Sequence, residues 1–145
     1  MFRAASVSNA RKTLMGIWFF FFLVNIACIF YLYLDNWIES DNFRASLQQL
    51  NSLYVAYLGM IVTFYLTQPN QTLTNKKHVL TPFVIAALSS ILWNTFIFIF
   101  FFRLVLQRGT IEDSLRQISF FGPLLSWLVA PAIGYYFAHS TSSRR

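Results

Sequence analysis

The sequence predicts an all-α integral membrane protein, a bundle of four transmembrane helices with both termini on the cytoplasmic side. Of its 145 residues, 57% are hydrophobic and 11% are charged, whereas a soluble domain has about 25% charged residues. The charged residues occur in clusters, and the apolar stretches between them approach the roughly 20 residues that cross a bilayer as a helix. Basic residues are also distributed unequally between alternate connections, which indicates how the chain is oriented.

The first two apolar stretches are residues 14–34 and 50–66. As a helix, the first is about 31 Å long, which matches a hydrocarbon core of about 30 Å. It is too long for the apolar region of a secretory signal peptide, and no cleavage site of small residues precedes Asp35. The second helix is expected to begin before its apolar stretch, because Ser40 and Asp41 are favourable N-cap residues.

The other two apolar stretches are residues 82–102 and 118–138. Pro82 suits the first turn of a helix, where its missing N–H costs little. Thr110 and Asp113 have the spacing of a capping box, so we expect the fourth helix to begin outside the bilayer. The polar connections are short, so residues 1–145 are predicted to form one membrane domain without a soluble domain.

The basic residues indicate the orientation. Seven of them lie before the first span, between the second and third, and after the fourth, where there is no acidic residue. The two opposite loops contain four basic and all five acidic residues. The positive-inside rule counts basic residues, so the side that carries seven of them, and with it both termini, is predicted to be cytoplasmic. Membrane topology thus explains the net charge of +6 without a nucleic-acid partner. The acidic loops form either a solvated rim of ion pairs or a docking rim for a partner or a divalent cation. The seven basic residues are Arg3, Arg11, Lys12, Lys76, Lys77, Arg144 and Arg145.

Small residues recur at every fourth position of the last span. Transmembrane helices associate through close backbone approach and hydrogen bonds, because lipid is as apolar as their side chains. We therefore expect this small-residue face to pack against Ala56 and Gly59 of the second span; a pore lining and chance composition are the alternatives. Pro131 lies within it and is expected to bend the helix. The small-residue face consists of Gly122, Ser126, Ala130, Gly134 and Ala138.

Each span places a hydrogen-bonding group near the middle of the bilayer. These groups are Asn25, Tyr57, Asn94 and Trp127, at about 14–18 Å from the inner ends of their spans. They are costly in contact with lipid, so we expect them to face the inside of the bundle. Two interpretations remain open: a clamp of hydrogen bonds between helices, worth about 0.6–2 kcal/mol per pair, or a polar layer that binds a small solute or gates a path.

The residues that are missing exclude several functions. None of the four apolar stretches contains Asp, Glu, Lys, Arg or His, which ion-coupled carriers, voltage sensors and ion pumps normally need. Sequence motifs of serine hydrolases, zinc proteases, phosphate loops and dinucleotide-binding folds are also missing. His78 and His139 have no companion ligands at metal-binding spacing, and Cys28 lies deep in the first span. We therefore predict no catalytic, cofactor-binding or metal-binding residues.

These observations favour a non-enzymatic membrane subunit, an accessory, assembly or scaffold protein that acts through helix–helix contacts. The expected partners are the lipid bilayer and either another membrane subunit or further copies of this chain. The main alternative is a homo-oligomeric channel or small-solute transporter in which Asn25, Tyr57 and Asn94 line a path. Four helices form a bundle whose centre is filled by side chains, so such a pore needs several copies. A third interpretation is an intramembrane enzyme. The sequence indicates a membrane location without indicating which membrane.

Overall fold

The structure is a computed structural model that describes residues 7–67 and 77–142, with side chains described for residues 10–66 and 81–137. Throughout this part of the chain the secondary structure is helical, without strands. Each of the helices contains a segment long and apolar enough to cross a membrane, so the predicted multi-pass membrane fold is confirmed. The helices are α1 (Val7–Leu34), α2 (Ser40–Thr67), α3 (Lys77–Val105) and α4 (Ile111–Ser142).

The helices extend beyond the apolar stretches that predict them. A helix satisfies its own main-chain hydrogen bonds in lipid and in water alike, so it need not end at the membrane surface. α2 begins at Ser40, before its apolar stretch as predicted. The carbonyl of Glu39 accepts the first helical hydrogen bond, from the N–H of Phe43, so Ser40 and Asp41 lie in the first turn rather than at the cap. α3 begins at Lys77, so Pro82 lies in the second turn rather than the first and removes one helical hydrogen bond. The candidate spans are Ala10–Leu34, Ser40–Leu66, Thr81–Val105 and Ile111–Phe137.

Around the bundle the helices follow the order α1, α2, α4, α3. α1 packs against α2 and α3, and α4 packs against the same two helices. Consecutive spans run in opposite directions, so the neighbours α1 and α3 are parallel, as are α2 and α4. The fold is therefore two antiparallel hairpins that lie side by side, with the start of α1 and the end of α4 at the same end of the bundle.

The two hairpin loops, residues 35–39 and 106–110, begin with the same helix cap. In the first, Asn36 has a φ of 57°, and the N–H of Trp37 donates to the carbonyl of Leu32 at 2.9 Å. This is a Schellman arrangement, in which a left-handed residue closes the helix. Gln107, with a φ of 60°, has the same role at the end of α3. Each hairpin therefore turns through an equivalent local structure.

The start of α4 has the cap that its sequence predicts. The hydroxyl of Thr110 accepts a hydrogen bond from the N–H of Asp113 at 3.3 Å and donates one to its carboxylate at 3.0 Å. In a full capping box the acidic side chain accepts from the main chain instead. Gly109, with a φ of 118°, precedes the cap. α4 consequently begins at Ile111, before the apolar stretch of residues 118–138.

Large apolar side chains lie both in the core of the bundle and on its outer surface. Its outer surface includes Phe20, Leu34 and Phe120, each more than half exposed. Such a surface suits lipid, where apolar side chains gain nothing by being hidden. The largest fully buried side chains include Trp18, Tyr54, Trp93, Phe101, Tyr136 and Phe137.

Candidate functional site

Four aromatic side chains meet at the centre of the bundle and form what we call the central aromatic cluster: Trp18 of α1, Tyr54 and Tyr57 of α2, and Trp93 of α3. Trp18 stacks on Tyr57 with ring centroids 4.5 Å apart, and it meets Tyr54 edge to face at 5.6 Å. Trp93 lies 5.1 Å from Trp18 and 5.2 Å from Tyr54, again between ring centroids. All four rings are buried, so they fill the space between these three helices.

A chain of hydrogen bonds, the polar network, runs through this cluster from α1 to α3. Asn25 donates from Nδ2 to the hydroxyl of Tyr54 at 3.0 Å, and Tyr54 donates to Oδ1 of Asn94 at 2.7 Å. Asn94 donates in turn to the main-chain carbonyl of Ser90 at 2.7 Å. The indole N–H of Trp18 donates to the hydroxyl of Ser90 at 3.1 Å. Side chains therefore connect α1, α2 and α3 at one depth in the membrane.

α4 joins the polar network through its main chain. The indole of Trp93 donates to the carbonyl of Gly122 at 3.2 Å, and the hydroxyl of Tyr57 donates to the carbonyl of Ser126 at 3.2 Å. A Cβ atom at Gly122 would lie 3.0 Å from Cδ2 of Leu53, which is closer than ordinary contact. The missing side chain of Gly122 thus allows α4 to approach α2 closely enough for these carbonyls to be reached.

The polar network is neutral and largely self-contained. Its donors are indole, amide and hydroxyl groups, and most of their acceptors lie within the network. Hydrogen bonds of this kind hold membrane helices together. Because the rings occupy the space that a solute would need, the geometry favours the clamp interpretation over a solute-binding layer.

One acceptor of the polar network has no partner among the described residues. It is Oδ1 of Asn25, a side chain with an exposure of 0%. Leaving a buried acceptor unpaired costs about 1–3 kcal/mol. Asn25 is therefore the least satisfied member of the network, whereas Asn94 both donates and accepts through its amide.

The structure brings together three of the four residues predicted at mid-membrane depth. Asn25 and Asn94 belong to the polar network, and Tyr57 belongs to the central aromatic cluster. Trp127 instead lies on the outer surface with an exposure of 86%, so the expectation that it faces inward is wrong. Adjacent helical residues point about 100° apart, and its neighbour Ser126 is the one beside Tyr57.

The small-residue face of α4 divides between different environments. Gly122 is buried, and Ser126 and Ala130 are half-buried. A Cβ atom at Gly134 would meet nothing within 4 Å, and the side chain of Ala138 lies outside the described ones. Among the described positions, the close approach predicted for the whole face occurs at Gly122.

The two residues of α2 that we expected to pack against this face do not contact it. Ala56 and Gly59 of α2 are exposed, and a Cβ atom at Gly59 would meet nothing within 4 Å. α2 presents the larger side chains of Leu53 and Tyr57 to α4 instead. The predicted contact between the small-residue face of α4 and Ala56 and Gly59 of α2 is therefore wrong. Gly122 packs against the side chain of Leu53 instead.

Sequence reasoning missed Trp18, Tyr54 and Ser90 as members of the site. Each lies three, four or seven residues from a polar residue that was predicted to face inward. Residues at these separations share one face of a helix. The spacing was therefore a usable signal, but it does not say which aromatic side chain of a mostly aromatic span faces inward.

A second polar pair lies at the end of the bundle where α1 and α3 begin, which we call the basic end. Arg11 has an exposure of 4% and falls within the candidate span Ala10–Leu34. Its guanidinium lies beside the hydroxyl of Tyr136 of α4, which is fully buried. The sequence placed Arg11 among the basic residues that precede the first apolar stretch, and the structure buries its side chain in the helix packing.

The opposite end carries the acidic residues. Asn42 donates to the carboxylate of Glu112 at 3.3 Å, which links α2 to α4. Next to it, a surface cleft of about 570 Å³ follows α4 between Asp113 and Phe121. Among the described side chains, those of residues 10–66 and 81–137, no three of His, Cys, Asp or Glu lie close enough to hold a metal ion. The side chains of His78 and His139 lie outside the described ones.

Compared with known proteins, the chain matches no protein family, no curated protein and no solved structure.

Proposed function

We propose that this protein is a non-enzymatic membrane subunit that presents one helix face to another membrane-embedded helix, as an accessory, assembly or scaffold protein does. A single observation supports this proposal: α2 exposes a stripe of polar and small side chains within its candidate span. We call this stripe the α2 outer face. It consists of Gln48, Asn51, Ser52, Ala56, Gly59 and Thr63.

The amides of the α2 outer face are unsuited to lipid. Asn51 lies about 16 Å along the helix from Ser40, counting about 1.5 Å per residue. Both Gln48 and Asn51 are exposed, and their side chains form none of the hydrogen bonds found between described residues. Hydrocarbon offers no donor or acceptor, so such groups are stabilised when another helix supplies one.

The small residues of the α2 outer face allow a helix to come close. Gly59 has open space where its side chain would be, and Ala56 lies one turn before it. Close backbone approach through small residues, with polar side chains nearby, is how membrane helices associate. The partner supported by this chemistry is a transmembrane helix with small residues and a hydrogen-bonding side chain at the depth of Asn51.

The filled centre argues against a path through one chain. The central aromatic cluster occupies the space between α1, α2 and α3. A second candidate function is a homo-oligomeric channel whose path runs between copies, and the exposed Gln48 and Asn51 favour it as possible lining residues. That lining would differ from the buried Asn25, Tyr57 and Asn94.

The test is the composition of the particle, measured by native mass spectrometry after gentle extraction from the native membrane. We expect either another chain in fixed ratio or a small multiple of the 16.9 kDa chain mass. Gly59→Leu should break up that particle, because the added side chain occupies the contact. Gly16→Leu is the matched control, since Gly16 of α1 is also exposed and open.

Two results would contradict the proposal. One is a wild-type particle with the mass of a single chain. The other is a particle that survives Gly59→Leu as well as it survives Gly16→Leu. If the particle contains only copies of this chain, solute flux in reconstituted vesicles then separates a channel from a scaffold.

A further inference from the structure

The surface cleft along α4, which we call the α4 cleft, belongs neither to the polar network nor to the α2 outer face. Its volume is about 570 Å³, within the range of about 300–1,000 Å³ that ligand pockets occupy. Its lining comes from one helix, mostly from positions that share a face. The cleft is therefore a candidate binding site that follows about two turns of α4. The lining residues are Asp113, Arg116, Gln117, Ser119, Phe120 and Phe121.

The chemistry of the α4 cleft changes along the helix axis. Asp113 and Arg116 are exposed, and Arg116 is the last residue with a charged side chain before the apolar stretch of residues 118–138. Phe120 and Phe121 lie near the start of that stretch. From Asp113 to Phe121 the cleft extends about 12 Å along the axis, counting about 1.5 Å per residue. It therefore runs from the headgroup layer of the membrane into the hydrocarbon.

The polar half of the α4 cleft holds one charge of each sign. The carboxylate of Asp113 accepts a hydrogen bond from the hydroxyl of Thr110 at 3.0 Å, which fixes its position at the start of α4. Arg116 follows three residues later, so the Cβ atoms of the two residues lie about 5–6 Å apart. Because the two charges cancel, this half suits a molecule that carries both signs better than a net anion or a net cation.

The apolar half of the α4 cleft continues along the outside of the helix. The ring centroid of Phe121 lies 5.8 Å from that of Phe96 of α3 and 4.9 Å from that of Phe120, so the two phenyl rings of the cleft are held against the bundle. Further into the span, Leu124 and Leu128 are 63% and 55% exposed. Residues 120, 124 and 128 are about one turn apart, so they form an apolar strip about 12 Å long below the cleft.

We propose that the α4 cleft binds a phospholipid whose zwitterionic headgroup carries a primary ammonium, as phosphatidylethanolamine does. The order of the groups supports this inference. From the membrane surface inward, α4 presents a carboxylate, a guanidinium and phenyl rings, and such a lipid presents an ammonium, a phosphate and acyl chains. The guanidinium of Arg116 donates to phosphate oxygens, and the carboxylate of Asp113 accepts from the ammonium. A choline headgroup has no N–H to donate, so it satisfies only half of the site. This site does not depend on the partner proposed for the α2 outer face.

The first experiment counts retained lipid by native mass spectrometry after reconstitution in nanodiscs of phosphatidylcholine and phosphatidylethanolamine in equal amounts. The wild type should keep one phosphatidylethanolamine. Arg116→Gln should keep about fivefold less, the effect of losing one partly exposed ion pair. Arg44→Gln is the matched control, since it removes the same charge from an exposed position of α2 outside the cleft and should retain as much as the wild type.

The second experiment tests the choice of headgroup with Asp113→Asn. The amide oxygen can still accept from Thr110, so the variant keeps the cap of α4 while it loses the charge. The preference for phosphatidylethanolamine over phosphatidylcholine should disappear. Retention of phosphatidylglycerol, which is anionic, should rise because Asp113 no longer repels it. Asp41→Asn, in the first turn of α2, is the matched control and should keep the preference.

Several outcomes would overturn the site. Equal retention of phosphatidylethanolamine by the wild type and Arg116→Gln would show that Arg116 does not bind the phosphate. A preference for this lipid that survives Asp113→Asn would show that the carboxylate does not recognise the ammonium. A Tm that Arg116→Gln lowers equally in nanodiscs with and without phosphatidylethanolamine would show a purely structural role. Free phosphoethanolamine that raises the Tm in phosphatidylcholine nanodiscs as much as the lipid does would indicate a site for a soluble headgroup instead of a lipid.

Discussion

The inner and outer faces of α2 both carry polar side chains within the candidate span, but they differ in how those side chains are hydrogen-bonded. On the inner face, Tyr54 and Tyr57 place hydroxyl groups at membrane depth and pair them with Asn94 and the main chain of α4. On the outer face, the amide of Asn51 lies at a similar depth without a partner in the described structure. The comparison shows that most polar groups of the polar network are paired within the described structure, whereas the amide of Asn51 is not, and the proposed function assigns its pairing to another membrane helix.

The two faces of α2 also differ in the size of the side chains that lie along them. Inside, large rings fill the centre, and Gly122 allows close approach at one point. Outside, Ala56 and Gly59 leave open space along α2. Stability of the single chain should therefore depend on the inner residues, and assembly should depend on the outer ones.

The largest effect on stability is expected from Trp93→Ala. The change removes a fully buried ring that contacts three others and donates to Gly122, so unfolding should become easier by about 3–5 kcal/mol. The matched control is Trp127→Ala on the outer surface, which should change stability by less than about 0.5 kcal/mol. Reversible unfolding in mixed micelles measures both, and similar losses would refute the division between inner and outer residues.

A smaller effect is expected from Gly122→Leu. Its Cβ atom would lie 3.0 Å from a methyl group of Leu53, so either the Leu53 side chain must shift or α4 must move away from α2. Overpacking of this kind typically costs about 1–3 kcal/mol. Gly134→Leu on the same helix meets open space and should cost little. If the two substitutions are equally tolerated in the same unfolding assay, Gly122 does not determine the α2–α4 approach.

The two asparagines of the polar network should differ from each other. Asn94→Leu removes two hydrogen bonds and leaves the hydroxyl of Tyr54 without its acceptor, so we expect a loss of about 1–2 kcal/mol. Asn25→Leu removes one hydrogen bond but also an unpaired buried acceptor, and its cost should be about 0.5 kcal/mol or less. A larger loss for Asn25→Leu would show that Oδ1 of Asn25 is satisfied in the membrane.

The smallest effect on stability is expected from Asn51→Leu on the α2 outer face. Stability of the isolated chain should change by less than about 0.5 kcal/mol, while the amount of partner retained in native mass spectrometry should fall. Asn51→Gln, which keeps an amide, should retain more partner than Asn51→Leu. A large loss of stability without any change in assembly would assign Asn51 to the fold instead of the interface.

Local sequence was sufficient for the features that depend on nearby residues. Four apolar stretches predicted four helices, because a backbone in lipid must satisfy its own hydrogen bonds. Thr110 and Asp113 predicted the start of α4, since a cap needs only the residues of one helical turn. Asn25 and Asn94 were correctly expected inside the bundle, because an amide is costly anywhere that lipid reaches.

Only the tertiary structure decided which faces meet. Trp127 and Trp93 are both acceptable in lipid or in a core, so composition could not tell that one is outside and the other at the centre. The pairing of Gly122 with Leu53, and the exposure of Gly59, follow from the order of the helices around the bundle. Long-range packing sets that order, and in a chain this apolar each helix has several faces that lipid or protein can cover equally well.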